Sequence, residues 1–166
     1  MRAIGASNFS AARLKEALHT SAEMAVPRYE SLQPEYNLVA REGFERELQP
    51  FCYENDLGVI TYFSLASGFL TGKYRSEADL GQSQRGERVR KFLDARGLRV
   101  LDALDAVSSR LGATPAQVAV AWILAKPAVT APIASATSVE QLDAILAGAE
   151  LRLDGDAVSA LDAASA

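Results

Sequence analysis

The stretch VITYFSLASGFLTGKY, residues 59–74, decides the fold. It opens with β-branched and aromatic residues, a composition that is typical of a strand. After Tyr62 bulky side chains become sparse, and Gly68 and Gly72 permit a positive φ or a close approach of the backbone to another group. The stretch therefore predicts a strand followed by a loop whose backbone something can approach.

The same order, a strand and then a helix, recurs along the chain. Strands are predicted over residues 2–6, 29–33, 58–62 and 129–133. Helices are predicted over residues 10–20, 42–55 and 98–111, from Pro115 onward, and after Asp154. The polar segment over residues 75–96 is expected to be an exposed and mobile loop.

Alternation of strands and helices predicts an α/β fold with parallel strands and right-handed crossovers. A closed eight-stranded (β/α)8 TIM-type barrel typically takes about 250 residues. With 166 residues and four strand–helix units plus extra helices, we expect one domain over residues 1–166 that forms half of such a barrel.

Two helix starts carry capping-box patterns. Thr114 and Gln117 bracket Pro115, which suits the first helical position. Ser138 and Gln141 have the same spacing, and a cap of this kind contributes about 1 kcal/mol.

The composition excludes several classes of protein. A net charge of −4 without a basic stripe argues against nucleic-acid binding. No apolar stretch approaches a membrane span and no signal peptide is evident, so we expect a cytoplasmic protein that does not bind membranes. With a single cysteine the chain cannot form an internal disulfide, and with a single histidine in addition we expect no conventional metal site.

Five motifs occur in an order and spacing that together are specific. They are IGASNF (4–9), LQPEYNL (32–38), GVITYFSLASGFLTGKY (58–74), GATPAQVAVAWIL (112–124) and PIASATSVEQL (132–142). This set resembles the C-terminal half of the aldo-keto reductase family, in the subgroup that includes potassium-channel β subunits and bacterial relatives. The resemblance implies a dinucleotide partner, NADP(H), bound at the C-terminal ends of the strands, and hydride transfer to an aldehyde or ketone.

Carried over residue by residue, the resemblance assigns the nicotinamide end of the cofactor to four side chains. Ser7, Asn8 and Gln33 would bind the carboxamide, which needs the donors and acceptors that amide side chains offer. Tyr62 would stack on the nicotinamide ring. The resemblance thus implies that the first three strands end at the reacting ring.

The resemblance assigns the diphosphate and the adenosine end of the dinucleotide to small and polar residues. The diphosphate would lie along Phe63, Ser64, Leu65, Ala66 and Gly68, with Lys73 as a point charge. Ser135, Thr137 and Gln141 would hold the adenosine end, near the start of a helix.

Three positions depart from the family pattern. Thr137 and Ile145 stand where many relatives carry arginine and asparagine, which would soften a preference for NADPH over NADH. Arg85 is expected to compensate. Phe63 replaces the usual serine, so the diphosphate loop is expected to differ in shape.

Taken singly, these residues also have structural explanations. Tyr62 suits a core or rim aromatic, Gly68 and Gly72 suit turns, and Gln141 suits a capping box. The functional interpretation depends on their joint position at the ends of successive strands.

The family's proton donor, a tyrosine tuned by lysine and aspartate beside a histidine, belongs to the first four strands, and no residues here match it. We therefore expect the chain to be inactive alone. Two explanations stay open: a chain truncated of its first half, or a half barrel that pairs with a second copy or with a separate N-terminal half, giving at least a dimer. The alternative function is a non-catalytic, nucleotide-binding regulatory subunit or an inert remnant, and a small carbonyl substrate is expected only in a complete barrel.

Overall fold

The structure, a computed structural model, describes residues 1–166 and contains one four-stranded sheet. Every pair of neighbouring strands is parallel and the spatial order follows the chain, which confirms the predicted strand–helix alternation. The strands are β1 (Ile4–Ser7), β2 (Tyr29–Gln33), β3 (Gly58–Thr61) and β4 (Val129–Pro132).

Eight α-helices accompany the sheet. None of them combines the length and the apolar character that a membrane span requires. They are α1 (Ala11–Glu23), α2 (Glu42–Glu45), α3 (Leu48–Glu54), α4 (Gly86–Val89), α5 (Ala95–Leu111), α6 (Pro115–Leu124), α7 (Val139–Glu150) and α8 (Gly155–Ser165).

The single helix predicted over residues 42–55 is wrong, because the chain breaks it into α2 and α3. Pro50 explains the break. In a continuous helix its ring would clash with the carbonyl of Arg46, whereas a proline in the first turn of a new helix is tolerated. Glu47, with φ −130°, leaves the helical region and lets α3 begin at Leu48.

The capping predictions have mixed outcomes. At α6 both bonds of the box form: Gln117 N donates to Thr114 Oγ1 (3.3 Å) and Thr114 N donates to Gln117 Oε1 (2.7 Å). At α7 only half of it forms. Gln141 N donates to Ser138 Oγ (3.3 Å), but the Gln141 side chain accepts from Thr137 instead. Helix α5 begins at Ala95, earlier than predicted, because Asp94 caps it through Gly97 N (2.7 Å).

Most residues of the segment 75–96 are exposed, as predicted, but the segment is not an irregular loop. It folds into short helical turns that bury Leu80, Gly86 and Val89. Gly86 packs so closely that a Cβ there would lie 1.7 Å from the Leu80 carbonyl oxygen. Arg75 fastens the start of the segment to α5 through Asp105 (2.7 Å). Apolar residues scattered every few positions, rather than mean polarity, were the signal for this packing.

The two faces of the sheet differ. Ala6, Leu32 and Val59 point to the helical side and are buried in the core together with Phe44 and Trp122. The opposite face carries mostly small side chains that no helix of the chain covers fully: Gly5, Ser7, Ser31, Ile60 and Thr130. We call this side the inner face; it is only partly covered within the chain, whereas parallel sheets are normally covered on both faces.

Candidate functional site

The first part of the site lies where β1, β2 and β3 end. Because parallel strands end at one edge of a sheet, residues far apart in sequence meet there. Ser7 Oγ and Asn8 N both donate to the Gln33 carbonyl oxygen, at 3.3 and 3.1 Å. Tyr62 Oη donates to Asn8 Oδ1 at 2.9 Å. The structure therefore brings together Ser7, Asn8, Gln33 and Tyr62.

This cluster keeps polar groups that are not used inside the protein. Asn8 accepts from Tyr62 through Oδ1, but its Nδ2 makes no hydrogen bond within the chain, nor does the side-chain amide of Gln33. Asn8 also has a φ of 58°, in the left-handed region that asparagine tolerates better than most residues. The edge can thus offer amide donors and acceptors to a ligand.

The second part is the loop that follows β3, residues 63–68, which we call the β3 loop. Phe63, Ala66, Ser67 and Gly68 all have positive φ, at 53°, 47°, 59° and 97°. Non-glycine residues in this region cost energy and cluster at functional sites. This concentration of strain in one short loop marks it as a place where backbone shape matters.

The strained backbone leaves donors unpaired. The N–H groups of Phe63, Ser64 and Leu65 form no hydrogen bond within the chain, although their neighbours Tyr62 and Ala66 do. Successive free backbone N–H groups in a turn of this kind suit an anion. Lys73 lies close to Gly68 at the end of the β3 loop, since a Cβ on Gly68 would be 3.9 Å from its Nζ.

Two buried polar side chains hold the β3 loop in place. Ser64 Oγ donates to the Ile133 carbonyl oxygen at 2.9 Å, which ties the loop to the end of β4. Asn37 Nδ2 donates to the Phe63 carbonyl oxygen at 3.0 Å. Asn37 is not among the predicted site residues, because an asparagine after a strand gives no sign that it will be buried.

The remaining predicted residues are more dispersed. Ser135 is exposed after β4, and Gln141 Oε1 accepts from Thr137 N (2.9 Å) and Thr137 Oγ1 (3.1 Å). The Arg85 guanidinium is exposed and makes no hydrogen bond or ion pair within the chain. Tyr74 is buried beside Gly68 of the β3 loop, and its hydroxyl is hydrogen-bonded to Ser83 Oγ (2.7 Å).

A polar network that no sequence pattern predicted lies next to the site. Arg41 binds Glu45 through two hydrogen bonds, at 3.0 and 2.8 Å. Glu45 Oε1 also accepts from the buried Tyr36 hydroxyl (2.5 Å), and burial, then this bond, raises the pKa of Tyr36. Asp162 on α8 accepts from Trp122 and Lys126. The network fastens the segment after β2 to α6 and α8.

An open cleft of about 730 Å³ adjoins this network. It is lined by Glu35, Val39, Ala40, Arg41, Glu42, Gly43, Glu45, Arg96, Ser165 and Ala166. The cleft is separate from the strand ends at Ser7 and Tyr62, which line no part of it.

The fold is that of a parallel α/β protein, and its candidate functional groups lie at the C-terminal ends of its strands. A sequence model of the Aldo/keto reductase family matches residues 1–166. The chain therefore belongs to the aldo/keto reductase family.

Individual relatives agree with this membership. The chain is 34% identical over 143 residues to a probable voltage-gated potassium channel subunit beta of Arabidopsis thaliana, covering 83% of this chain and 44% of the relative. It is 36% identical over 169 residues to an uncharacterized oxidoreductase of Mycobacterium tuberculosis, covering 99% and 50%. An L-glyceraldehyde 3-phosphate reductase of Escherichia coli is 31% identical over 146 residues, covering 84% and 42%.

A solved structure is also similar. The crystal structure of a thermostable aldo-keto reductase in complex with the inhibitor epalrestat superposes with a TM-score of 0.72 at 28% identity. The match covers 98% of this chain and 48% of that one. The chain thus spans about half the length of the relatives it matches.

Proposed function

We propose that this chain is the NADP(H)-binding half of an aldo-keto reductase, an oxidoreductase that reduces aldehydes or ketones by hydride transfer. The observation that carries the proposal is the β3 loop, with three successive unpaired N–H groups, and with Lys73 close to Gly68 at the end of the loop. The diphosphate of a dinucleotide is an anion of suitable size for such a loop, and lysine binds phosphate as a point charge.

The nicotinamide end would lie over the cluster at the ends of β1 to β3. The free amides of Asn8 and Gln33, with the hydroxyl of Ser7, would hold the carboxamide. Tyr62 is half-buried and its ring is fixed from two sides, by the bond to Asn8 and by an edge contact with Phe63 at 5.2 Å between ring centroids. A ring so fixed would select the face of the nicotinamide from which the bound cofactor supplies hydride.

The adenosine end would contact Ser135, Thr137 and Gln141. No lysine or arginine occurs between Pro127 and Leu151, and Glu140 adds negative charge in the first turn of α7. A 2′-phosphate would therefore depend on the exposed Arg85 for a charge-assisted bond. On this basis NADPH would bind with only a modest preference over NADH.

We further propose that the uncovered surfaces of the chain accept the other half of a barrel. Three features support this: the open inner face of the sheet, the unpaired edges of β1 and β4, and an exposed apolar stripe on α7 formed by Val139, Leu142 and Leu146. A covering half that supplies four further strands would pair both edges. A second copy of this chain is the other candidate to cover the same surfaces.

The proton for carbonyl reduction would come from that covering half. His19 is exposed on α1 beside Glu23, and the buried Tyr74 hydroxyl is already hydrogen-bonded to Ser83, so neither is offered as the general acid. A general acid must come within hydrogen-bond reach of the atom it protonates. This chain would hold and orient the hydride donor, and the complete barrel would reduce the substrate.

A regulatory role is the second candidate. It is favoured by the similarity to a protein named as a probable voltage-gated potassium channel subunit beta. In that case the site would bind a dinucleotide without turning over a carbonyl.

Titration of the chain with NADPH, followed by the fluorescence of the reduced nicotinamide, tests the proposal. We expect saturable binding, because the polar groups of the site lie within this chain. Carbonyl reduction is then assayed with and without a separately produced N-terminal half of a related reductase. Turnover only with the added half supports the oxidoreductase, binding without turnover in either assay supports the regulatory role, and no binding at high protein concentration contradicts both.

A further inference from the structure

We infer that Asn37 is a positioning residue for the dinucleotide: it fixes the β3 loop in its strained, anion-binding shape without touching the ligand. This inference rests on the proposed function, since it concerns the same site. Asn37 lies in the segment after β2, and its side chain is fully buried, at 0% exposure.

The orientation of the Asn37 amide is determined by its neighbours. Its Oδ1 accepts from Val39 N at 2.9 Å, and its backbone exchanges two hydrogen bonds with Ala40, at 3.3 and 3.0 Å. With the oxygen committed to Val39, Nδ2 must face the Phe63 carbonyl, to which it donates at 3.0 Å. Val39 N needs an acceptor and the Phe63 carbonyl oxygen needs a donor. Asparagine supplies both from one side chain, whereas aspartate and leucine do not.

The hydrogen bond from Asn37 fixes the carbonyl of Phe63, the first residue of the β3 loop with a positive φ. The Phe63 carbonyl oxygen also accepts from Ala66 N at 2.7 Å, so both of its lone pairs are used. Phe63 itself has a φ of 53°, a region that a phenylalanine leaves readily when nothing holds it. Asn37 therefore opposes relaxation of the turn over residues 63–66, and this turn carries the unpaired N–H groups.

The β3 loop is also tied on its other side. Ser64 is buried, at 1% exposure, and its hydroxyl donates to the Ile133 carbonyl oxygen just after β4. Asn37 and Ser64 thus clamp the loop between the segments that follow β2 and β4. Such preorganisation increases affinity, because the loop does not have to be ordered when the anion binds.

The test compares Asn37→Asp with Val107→Ala. Aspartate keeps the acceptor for Val39 N and replaces the donor to Phe63 by an oxygen. Val107 is a buried residue of α5 away from the loop, so its truncation lowers the melting temperature without altering the loop. Two constants are measured below the melting transition. One is the dissociation constant of NADPH, and the other is the inhibition constant of inorganic pyrophosphate as a competitor of NADPH binding.

We expect Asn37→Asp to weaken both NADPH and pyrophosphate by about tenfold, the effect of one lost hydrogen bond and a relaxed loop. Val107→Ala should leave both constants within about twofold of the original chain. If Asn37→Asp does not fold, Asn37→Ser serves instead, because serine can keep the turn through Val39 N but is too short to reach Phe63.

The results separate the two proposals. Failure of the original chain to bind NADPH would overturn the proposed function. Binding by the original chain together with unchanged constants in a folded Asn37 variant would overturn this inference alone. A loss of NADPH affinity with unchanged pyrophosphate inhibition would also overturn it, because Asn37 would then act elsewhere than on the diphosphate loop.

Discussion

Replacing Arg41 with methionine is expected to lower the free energy of unfolding by about 3 kcal/mol. The guanidinium of Arg41 is 16% exposed and its partner Glu45 is 24% exposed, so the pair is largely removed from water. Loss of the arginine would leave Glu45 without its cation, whereas Asp162 would keep Lys126, and an unpaired charge that is largely buried is costly. Urea denaturation followed by circular dichroism measures the change.

Arg46 provides the control on the same stretch of chain. It is 75% exposed and lies 3.8 Å from Glu42, so Arg46→Met should change the stability by no more than about 0.5 kcal/mol. Equal effects of the two substitutions would contradict the importance of the buried network. They would indicate that both arginines act only through general surface charge.

Replacing Tyr62 with alanine is expected to weaken NADPH binding by about 10- to 100-fold. Stacking of a base on an aromatic side chain contributes about 1–3 kcal/mol, and we assume a similar value for the nicotinamide ring. The fold should tolerate the change, because Tyr62 is half-buried at the edge of the sheet. Fluorescence titration with NADPH measures the dissociation constant.

Tyr62→Phe is the matched variant, since it keeps the ring and removes only the bond to Asn8 Oδ1. We expect it to weaken binding by about two- to tenfold, as for one neutral hydrogen bond. An alanine variant that binds NADPH as well as the original chain, with an unchanged melting temperature, would show that the nicotinamide does not stack on Tyr62.

Strand positions were predictable because each strand carries its own local pattern. The interval from Tyr29 to Gln33 is reproduced to the residue, and the other three strands differ by one or two residues at their ends. Polar residues at the strand ends could then be placed together, because parallel strands end at a common edge.

What the sequence did not reveal depends on contacts between distant residues. Asn37 meets Phe63 across 26 positions, and Arg41 meets Ser165 across 124. No local pattern encodes such pairs, and both residues look like ordinary loop or surface groups in the sequence. The break between α2 and α3 is different, since Pro50 was a visible signal for it.

The start of α7 shows how a local pattern can mislead. Ser138 and Gln141 have the spacing of a capping box, and Gln141 N does donate to Ser138 Oγ, but the Gln141 side chain accepts from Thr137 and not from Ser138 N. The hydroxyl and backbone donors of Thr137 are both near the same Gln141 oxygen, so a ligand at Thr137 would have to displace this side chain. Which of the neighbouring donors reaches the Gln141 oxygen depends on the three-dimensional geometry and cannot be read from the sequence spacing.

The most direct test of the central claim is an amide-resolved NMR titration of the isotopically labelled chain with NADPH. We expect the backbone N–H signals of Phe63, Ser64 and Leu65 to shift together as the site saturates, since these groups are unpaired in the protein and would bind the diphosphate. Saturable binding that leaves all three signals unchanged would contradict the proposed diphosphate site, because the dinucleotide would then be held somewhere other than on the β3 loop.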